Sequence, residues 1–269
     1  MESSPIRADG LQIRLPAKAT LYSFPALASI FLISIFLAAC NTRSNRAGMP
    51  AASILLFNGT GSSPNDVAAI EAILNRQNLA YATATSAQLN AMTEAQIHTY
   101  RLLIVPGGNF VEIGNGLTSD AAANIRNAVQ HGLNYLGICG GAFVAGDSPY
   151  NGLNLTNNVR FGFYSAESKG IRKAAVTVTD ASGVSLDQYW EDGPQLTGWG
   201  TVVAKYPDGT PAVVQGAIGQ GWVILAGVHP EAPEDWRRGM SFHTPAGADH
   251  EYAGKLVAAA LNRQELQHF

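Results

Sequence analysis

Charge is scarce in this 269-residue sequence: Asp, Glu, Lys and Arg together make up 14%, against 46% hydrophobic residues. That balance excludes a disordered, charge-rich chain and leaves ample apolar surface for a core. The net charge is −3 and no Lys/Arg cluster of the kind that grips phosphate backbones is present, so no nucleic-acid partner is expected. There are two cysteines, Cys40 and Cys139, too few for a disulfide framework or a Cys-rich zinc site. The 28 glycines and 13 prolines follow no three-residue period, which excludes a collagen-like chain. No internal repeat is visible. The length suits one large domain or two small ones.

What is present begins with an address. No charge lies between Lys18 and Arg43, and inside that gap Ala26 to Leu37 is an apolar run preceded by Arg7, Arg14 and Lys18. A basic stretch, a short apolar stretch and small residues form the secretory-signal pattern, and the run is shorter than the ~20 residues a spanning helix needs. Leu37-Ala38-Ala39-Cys40 resembles a bacterial lipobox. That resemblance implies that residues 1–39 are a signal peptide, that Cys40 is lipidated and becomes the first residue, and that the chain is membrane-anchored through it. Asn41 after the Cys implies outer-membrane sorting, on the periplasmic side of a Gram-negative envelope. The alternative is a plain signal peptide or anchor with an incidental Cys40. Small, polar residues up to 52 suit a flexible tether, and 53–269 is about one domain long.

In that domain Ser53–Phe57, Ala80–Thr85, Arg101–Val105 and Leu133–Ile138 read as strands. They alternate with helices predicted over Asp66–Arg76 (capped by Asn65), Ala87–His98 and a stretch capped by Ser119 and ending near His131. This alternation predicts βαβ units and a parallel sheet. From Phe161 on, strands are predicted at Phe161–Ala166, Lys173–Thr179, Thr201–Tyr206, Ala212–Gln215 and Trp222–Ala226, punctuated by Pro207-Asp208-Gly209 and Gly219-Gln220-Gly221. They would extend the sheet with antiparallel strands, before a closing helix over Glu251–Glu265.

Gly137-Ile138-Cys139-Gly140-Gly141 stands where a strand turns into a helix, a nucleophile-elbow pattern with Cys in place of Ser. The turn is so sharp that a side chain at the flanking positions would strike neighbouring backbone, and the nucleophile itself is held strained. N–H groups at a helix N-terminus favour thiolate over thiol. The Gly140 N–H, with that of Gly107 or Gly108 from another strand-end loop, would form an oxyanion hole. A base and an orienter are needed as well. His229 and Glu231 follow the strand Trp222–Ala226, and residues i and i+2 of an extended segment share a side. Pro230 between them keeps the segment extended. His229 would be the general base and then acid, with Glu231 fixing its tautomer.

Pro106-Gly107-Gly108, the elbow and His229-Pro230-Glu231, in this order, resemble the class I glutamine amidotransferase-like superfamily, and within it the biotin-protein ligase N-terminal domain family. Gly137 to Phe143, the Tyr189–Pro194 stretch and Ala204 through Glu231 are all similar to that family, so the likeness spans about 53–262. The resemblance implies a flavodoxin-like three-layer α/β/α sandwich, its mostly parallel sheet extended by antiparallel strands, and a Cys-His-Glu triad at Cys139, His229 and Glu231. Biotin ligation is not expected, since in those ligases the transfer chemistry lies in a separate domain further on. Glutaminase activity is not secured either. Amidotransferases that hydrolyse glutamine usually carry Gln four residues after the Cys, where this chain has Phe143. Protease and chaperone relatives place His directly after the Cys, where Gly140 stands.

The expectation is therefore an exported cysteine amidohydrolase acting on the amide or acyl group of a small molecule, without cofactor. Two alternatives remain: a binding module for a small ligand or partner on the same fold, and a gamma-glutamyl-hydrolase-like peptidase. For Cys139 the plain alternative is an inert core thiol, and for His229-Pro230-Glu231 a simple turn. Asn58-Gly59-Thr60-Gly61 lacks the third glycine of a dinucleotide fingerprint, since Pro64 stands there, and reads as a loop rimming the pocket. Trp190–Pro194 either lines the same pocket or packs as an aromatic turn. His243, Asp249 and His250 match no metal-ligand spacing and read as a solvated loop. His98, His131 and His268 read as surface residues at element ends.

Overall fold

The computed structural model describes residues 13–14, 52–164 and 169–269. The expected lipobox with Cys40 and the tether up to 51 lie outside the described residues, as does most of the expected leader. In chain order the elements are β1 (Ile13–Arg14), β2 (Ile54–Phe57), α1 (Pro64–Arg76), β3 (Tyr81–Ala84), α2 (Ser86–Ala91), α3 (Glu94–Ile97), β4 (Leu102–Val105), α4 (Phe110–Gly116), α5 (Ser119–Gln130), β5 (Asn134–Ile138) and α6 (Gly140–Ala145). They continue with β6 (Gly162–Phe163), β7 (Lys173–Asp180), β8 (Ser185–Glu191), β9 (Pro194–Gln195), β10 (Thr201–Lys205), β11 (Pro211–Ile218), β12 (Gly221–Ala226) and α7 (Ala246–Asn262). Among the described residues no helix is long and apolar enough to cross a membrane.

One ten-stranded sheet carries the fold, in the order β1-β3-β2-β4-β5-β12-β11-β10-β7-β8. From β3 to β12 neighbouring strands are parallel; from β12 to β8 they are antiparallel. The parallel strands are buried on both faces, as their unbroken apolar runs require. Alternation along a strand sends Ile54, Leu56, Ile104 and Leu136 into one core with Ile70 of α1 and Leu256 of α7. Leu55, Phe57, Leu103 and Tyr135 point the other way, into a second core with Ile113 of α4 and Ile125 of α5. Helices on both faces of a mixed sheet make the flavodoxin-like three-layer α/β fold.

Several local boundaries differ from the sequence reading. Ser63, not Asn65, caps α1: its side chain accepts from the Asp66 N–H, and Pro64 takes the first helical position, where its missing N–H costs nothing. Thr118 rather than Ser119 caps α5. The helix expected over Ala87–His98 is two helices, because Thr85 and Thr93 each form a complete capping box with Gln88 and Gln96; a good N-cap contributes ~1 kcal/mol, enough to restart a helix. The strand expected over Phe161–Ala166 is confined, among the described residues, to Gly162–Phe163, paired with Pro194–Gln195. Helix α7 begins at Ala246, earlier than Glu251. Besides the two-residue strands β1 and β9, two elements were not anticipated. α4 carries Gly114 and Gly116 in seven residues, and Asn109 caps it. β8 contains Asp187 and Glu191, which break its apolar pattern.

Candidate active site

The carboxyl ends of β2, β4, β5 and β12, adjacent in the sheet, deliver four chain segments to one place. Ligand sites of open α/β sheets form along this edge. A cavity of about 490 Å³ opens there, lined among others by Ser63, Asp66, Gly108, Cys139, Phe143, Glu191 and His229.

Cys139 has φ 46° and ψ −102° and precedes α6 directly, a left-handed conformation costing a non-glycine residue on the order of 1–3 kcal/mol. Its N–H donates to the Ala226 carbonyl (2.8 Å), so the elbow is fastened to the end of β12, three residues before His229. The elbow tolerates no bulk: a Cβ at Gly140 would lie 2.5 Å from the Gly108 carbonyl oxygen, and one at Gly141 2.0 Å from that of Val105. The Gly140 and Gly108 backbones are thus in contact. Antiparallel bonding of Ser62 and Gly108 runs through Ser63 N–H to the Gly107 carbonyl and Asn109 N–H to the Gly61 carbonyl, which leaves the Gly108 N–H outside that pairing. Gly107 faces elsewhere. A Cβ there would come 2.1 Å from Asp66 Oδ1 and 2.5 Å from His229 Cε1.

His229 and Glu231 are both buried, and Nδ1 of His229 lies 3.0 Å from Glu231 Oε1. An acceptor there fixes the proton on Nδ1 and leaves Nε2 free. The same Nδ1 is also 3.0 Å from Oδ1 of Asp66, itself buried. Asp66 was missed in the sequence, where it reads as an ordinary acidic residue in a helix's first turn. Its one signal is position, just after a strand-end loop on the edge that carries the elbow. Burial works against a charged imidazole, but the negative charge of Cys139 and the Glu231 and Asp66 carboxylates outweigh it and hold the His229 pKa well above the usual imidazole range. Burial raises Glu231 above the ordinary carboxylate range despite His229. For Asp66 the imidazole overcomes burial and the pKa is lowered.

The second wall comes from β8. The His229 N–H donates to the Tyr189 carbonyl (2.8 Å), pinning the histidine backbone to this strand. The Tyr189 hydroxyl donates to Glu191 Oε2 (2.5 Å), and the Cys139 thiol approaches the Glu191 carbonyl (3.4 Å). Rings of Tyr189 and Trp236 flank the imidazole at 5.7 and 5.9 Å. Opposite, Phe110 stacks on Phe143 (centroids 4.5 Å apart) and Phe163 meets Phe143 edge-on at 5.1 Å. These three rings continue into an adjoining cavity of about 220 Å³ reaching Tyr150. Arg172 pairs with Asp192 at the rim.

The expected pocket stretch Trp190–Pro194 divides: Glu191 and Asp192 line the cavity, while Trp190 is fully buried and donates to the Gly193 carbonyl. Ser63, just beyond the Asn58–Gly61 loop, lines the cavity, whereas Gly61 packs against α4. The solvated loop expected around His243, Asp249 and His250 holds for His243, which is exposed, but Asp249 and His250 lie within α7. Asp249 is buried within α7 beside buried Arg237 (3.5 Å), its pKa pushed up to about 7 by burial against that arginine's pull, and His243 bonds to Asp187 (2.8 Å). Among the described residues, Asp66, His229 and Glu231 are the one group whose ligating atoms lie close enough to share a metal ion, all within 4.8 Å. An ion there would compete with the hydrogen bond between His229 Nδ1 and Glu231 Oε1.

With this geometry in hand, the likeness to known proteins falls into two levels. The sequence model of the family described as "Biotin-protein ligase, N terminal" matches residues 52–174, which include Asp66, Gly107, Gly108 and Cys139 but neither His229 nor Glu231. Two solved structures share the fold: a glutamine amidotransferase (TM-score 0.56, 17% identity, 77% of this chain and 99% of that one) and PurLQS from Thermotoga maritima (TM-score 0.53, 17% identity, 79% and 98%). The chain thus has the class I glutamine amidotransferase-like fold, with a biotin-protein ligase N-terminal-like sequence over its parallel half. An uncharacterized protein of Chlamydia muridarum (strain MoPn / Nigg) is 30% identical over 160 residues, 49% of this chain and 61% of that protein. The match spans about three fifths of that relative's length.

Proposed function

We propose that this protein is a cysteine amidohydrolase of the glutamine amidotransferase-like fold, acting on a small amide whose acyl part is apolar or aromatic, and without biotin ligase activity. One observation carries the reading: the strained Cys139 and a His229 bound on Nδ1 by buried carboxylates line one cavity. In the proposed cycle the Cys139 S–H proton passes to His229 Nε2, and the sulfur attacks the acyl carbon and forms the C–S bond. The N–H groups of Gly140 and of Gly107 or Gly108 hold the oxyanion. The C–N bond then breaks, and the amine leaves with the proton from His229 Nε2. Neutral His229 next takes a proton from water, whose oxygen attacks the thioester and expels the sulfur.

The acyl preference rests on Phe110, Phe143 and Phe163 beside the nucleophile. Phe143 fills the position where glutamine-hydrolysing relatives by resemblance carry Gln. A gamma-glutamyl donor would bring its own carboxylate to a wall holding Asp66, Glu191 and Asp192, with Arg172 already paired, which speaks against the peptidase alternative. In the same proposal the chain is exported and anchored through a lipidated Cys40.

The test is amine release by the full chain from a panel of arylacyl amides, with glutamine and a gamma-glutamyl anilide beside them and Cys139→Ser as control. Release from arylacyl amides that is lost in the serine variant is expected. Binding of such amides with no release by the wild type would overturn the enzyme reading in favour of a binding module.

A further inference from the structure

We infer that Asp66 is a positioning residue of this site, a second carboxylate that holds the His229 imidazolium in place and supports it after the sulfur has lost its charge. The inference rests on the cysteine–histidine reading above and adds a fourth member to it.

Nδ1 carries one proton and has two buried acceptors, Oε1 of Glu231 and Oδ1 of Asp66, each at 3.0 Å. The hydrogen bond goes to Glu231. Asp66 Oδ1 is sealed from solvent without a hydrogen bond of its own, and Oε2 of Glu231 is in the same position. An unsatisfied buried acceptor is destabilising, and a buried charge needs an opposite one. For Asp66 the imidazolium is the cation at hand. The contact exists because residue 107 has no side chain, since a Cβ there would strike both partners. The two acids also come from different elements. Glu231 sits two residues from His229 on the same segment and travels with it. Asp66 stands on the first turn of α1 and fixes the ring against an independent part of the fold.

The division of labour follows from the charges around the ring. The titratable groups facing His229 are Cys139 from the elbow, Asp66 from α1, Glu231 from its own segment, and Tyr189 with its partner Glu191 from β8. Before attack, the negative sulfur helps hold the imidazolium. Once the thioester has formed that charge is gone, yet His229 must still accept a proton from water. At this stage the two carboxylates alone maintain its basicity, so Asp66 matters most in deacylation.

Carbamidomethylation of Cys139 by iodoacetamide imitates that stage, because the sulfur becomes a neutral thioether. The experiment is a histidine-ring NMR titration of the full chain so alkylated, for wild type, Asp66→Asn, Asp66→Glu and Glu231→Gln, with His229→Ala to assign the signal and thermal unfolding run beside each. An opposite charge at this range moves a titration by about 1–3 units. His229 of alkylated wild type is expected to titrate above the ordinary value of about 6.5. Asp66→Asn should lower it by at least about one unit, and Asp66→Glu, which keeps the charge, should restore most of that loss. A titration that falls in Glu231→Gln but stays put in Asp66→Asn would overturn the role of Asp66 and leave the cysteine–histidine reading intact. Should Asp66→Asn fail to fold, Asp66→Ala takes its place: without the carboxylate His229 is expected to titrate at least about one unit lower, and a titration identical to wild type overturns the inference. Separately, Cys139 alkylation that is equally fast in wild type and His229→Ala would remove the underlying reading itself.

Discussion

The two halves of the sheet were built by different rules. In the parallel half, β2, β4 and β5 are short, apolar and buried on both faces, and their chemistry sits in the loops that leave their carboxyl ends. In the antiparallel half, β7 and β8 carry polar residues within the strands, and β8 presents Glu191 directly to the cavity. The site lies on the seam. Cys139 leaves β5 and His229 follows β12, the strand that pairs parallel to β5 on one side and antiparallel to β11 on the other. The parallel half supplies Cys139 and the glycine contacts; the antiparallel half anchors His229 through Tyr189 and lines the cavity with Glu191. Both halves are therefore needed to bring Cys139 and His229 to one cavity.

The largest expected effects test whether each half depends on its own packing. Trp190→Ala, near the end of β8 and fully buried against Tyr164, should cost about 3–5 kcal/mol in urea unfolding. Gly141→Ala would force a methyl against the Val105 carbonyl on the other side of the seam and should cost ~3 kcal/mol. A near-neutral Gly141→Ala would mean that the elbow is not the rigid point of the parallel half.

Next in size is a pH effect. The folded-state pKa of His229 is raised above its unfolded value. Its contribution to stability is therefore fully present below pH ~6.5 and is lost as pH rises through the folded-state value. The stability gap between wild type and His229→Gln should narrow over that range, and a gap that widens with pH would reverse the assigned charge. The smallest effect is at the rim. Arg172 and Asp192 form a partly exposed pair, so Arg172→Ala should change stability by about 0–1 kcal/mol, while altering which acyl amides are accepted in the release assay.

What was legible in the sequence divides along the same seam. Strands β2, β4 and β5 announce themselves as apolar runs ending in glycine-rich loops, and the elbow glycines are spelled out because an added Cβ at Gly140 or Gly141 would meet backbone oxygens at 2.5 or 2.0 Å. His229 and Glu231 were visible because they share a side two residues apart. Asp66 was not, because its meaning comes from the meeting of α1 with a loop more than 160 positions later, a long-range contact with no local signature. β8 was hidden for a related reason. Asp187 breaks its apolar pattern, and only the Thr177 hydroxyl and His243, both distant in sequence, make that carboxylate at home in a strand. The single helix expected over Ala87–His98 failed on local chemistry that was in view, the two Thr-x-x-Gln capping boxes.

The central claim is that Cys139 and His229 work as one unit across the seam. Its most direct test is the rate of Cys139 alkylation by iodoacetamide near neutral pH, followed on the Cys139 peptide by mass spectrometry, in the full chain and in His229→Ala. Proton-transfer partners contribute on the order of a hundredfold or more in such sites, and the account predicts at least a tenfold slower reaction without the histidine. Equal rates in the two proteins would contradict it.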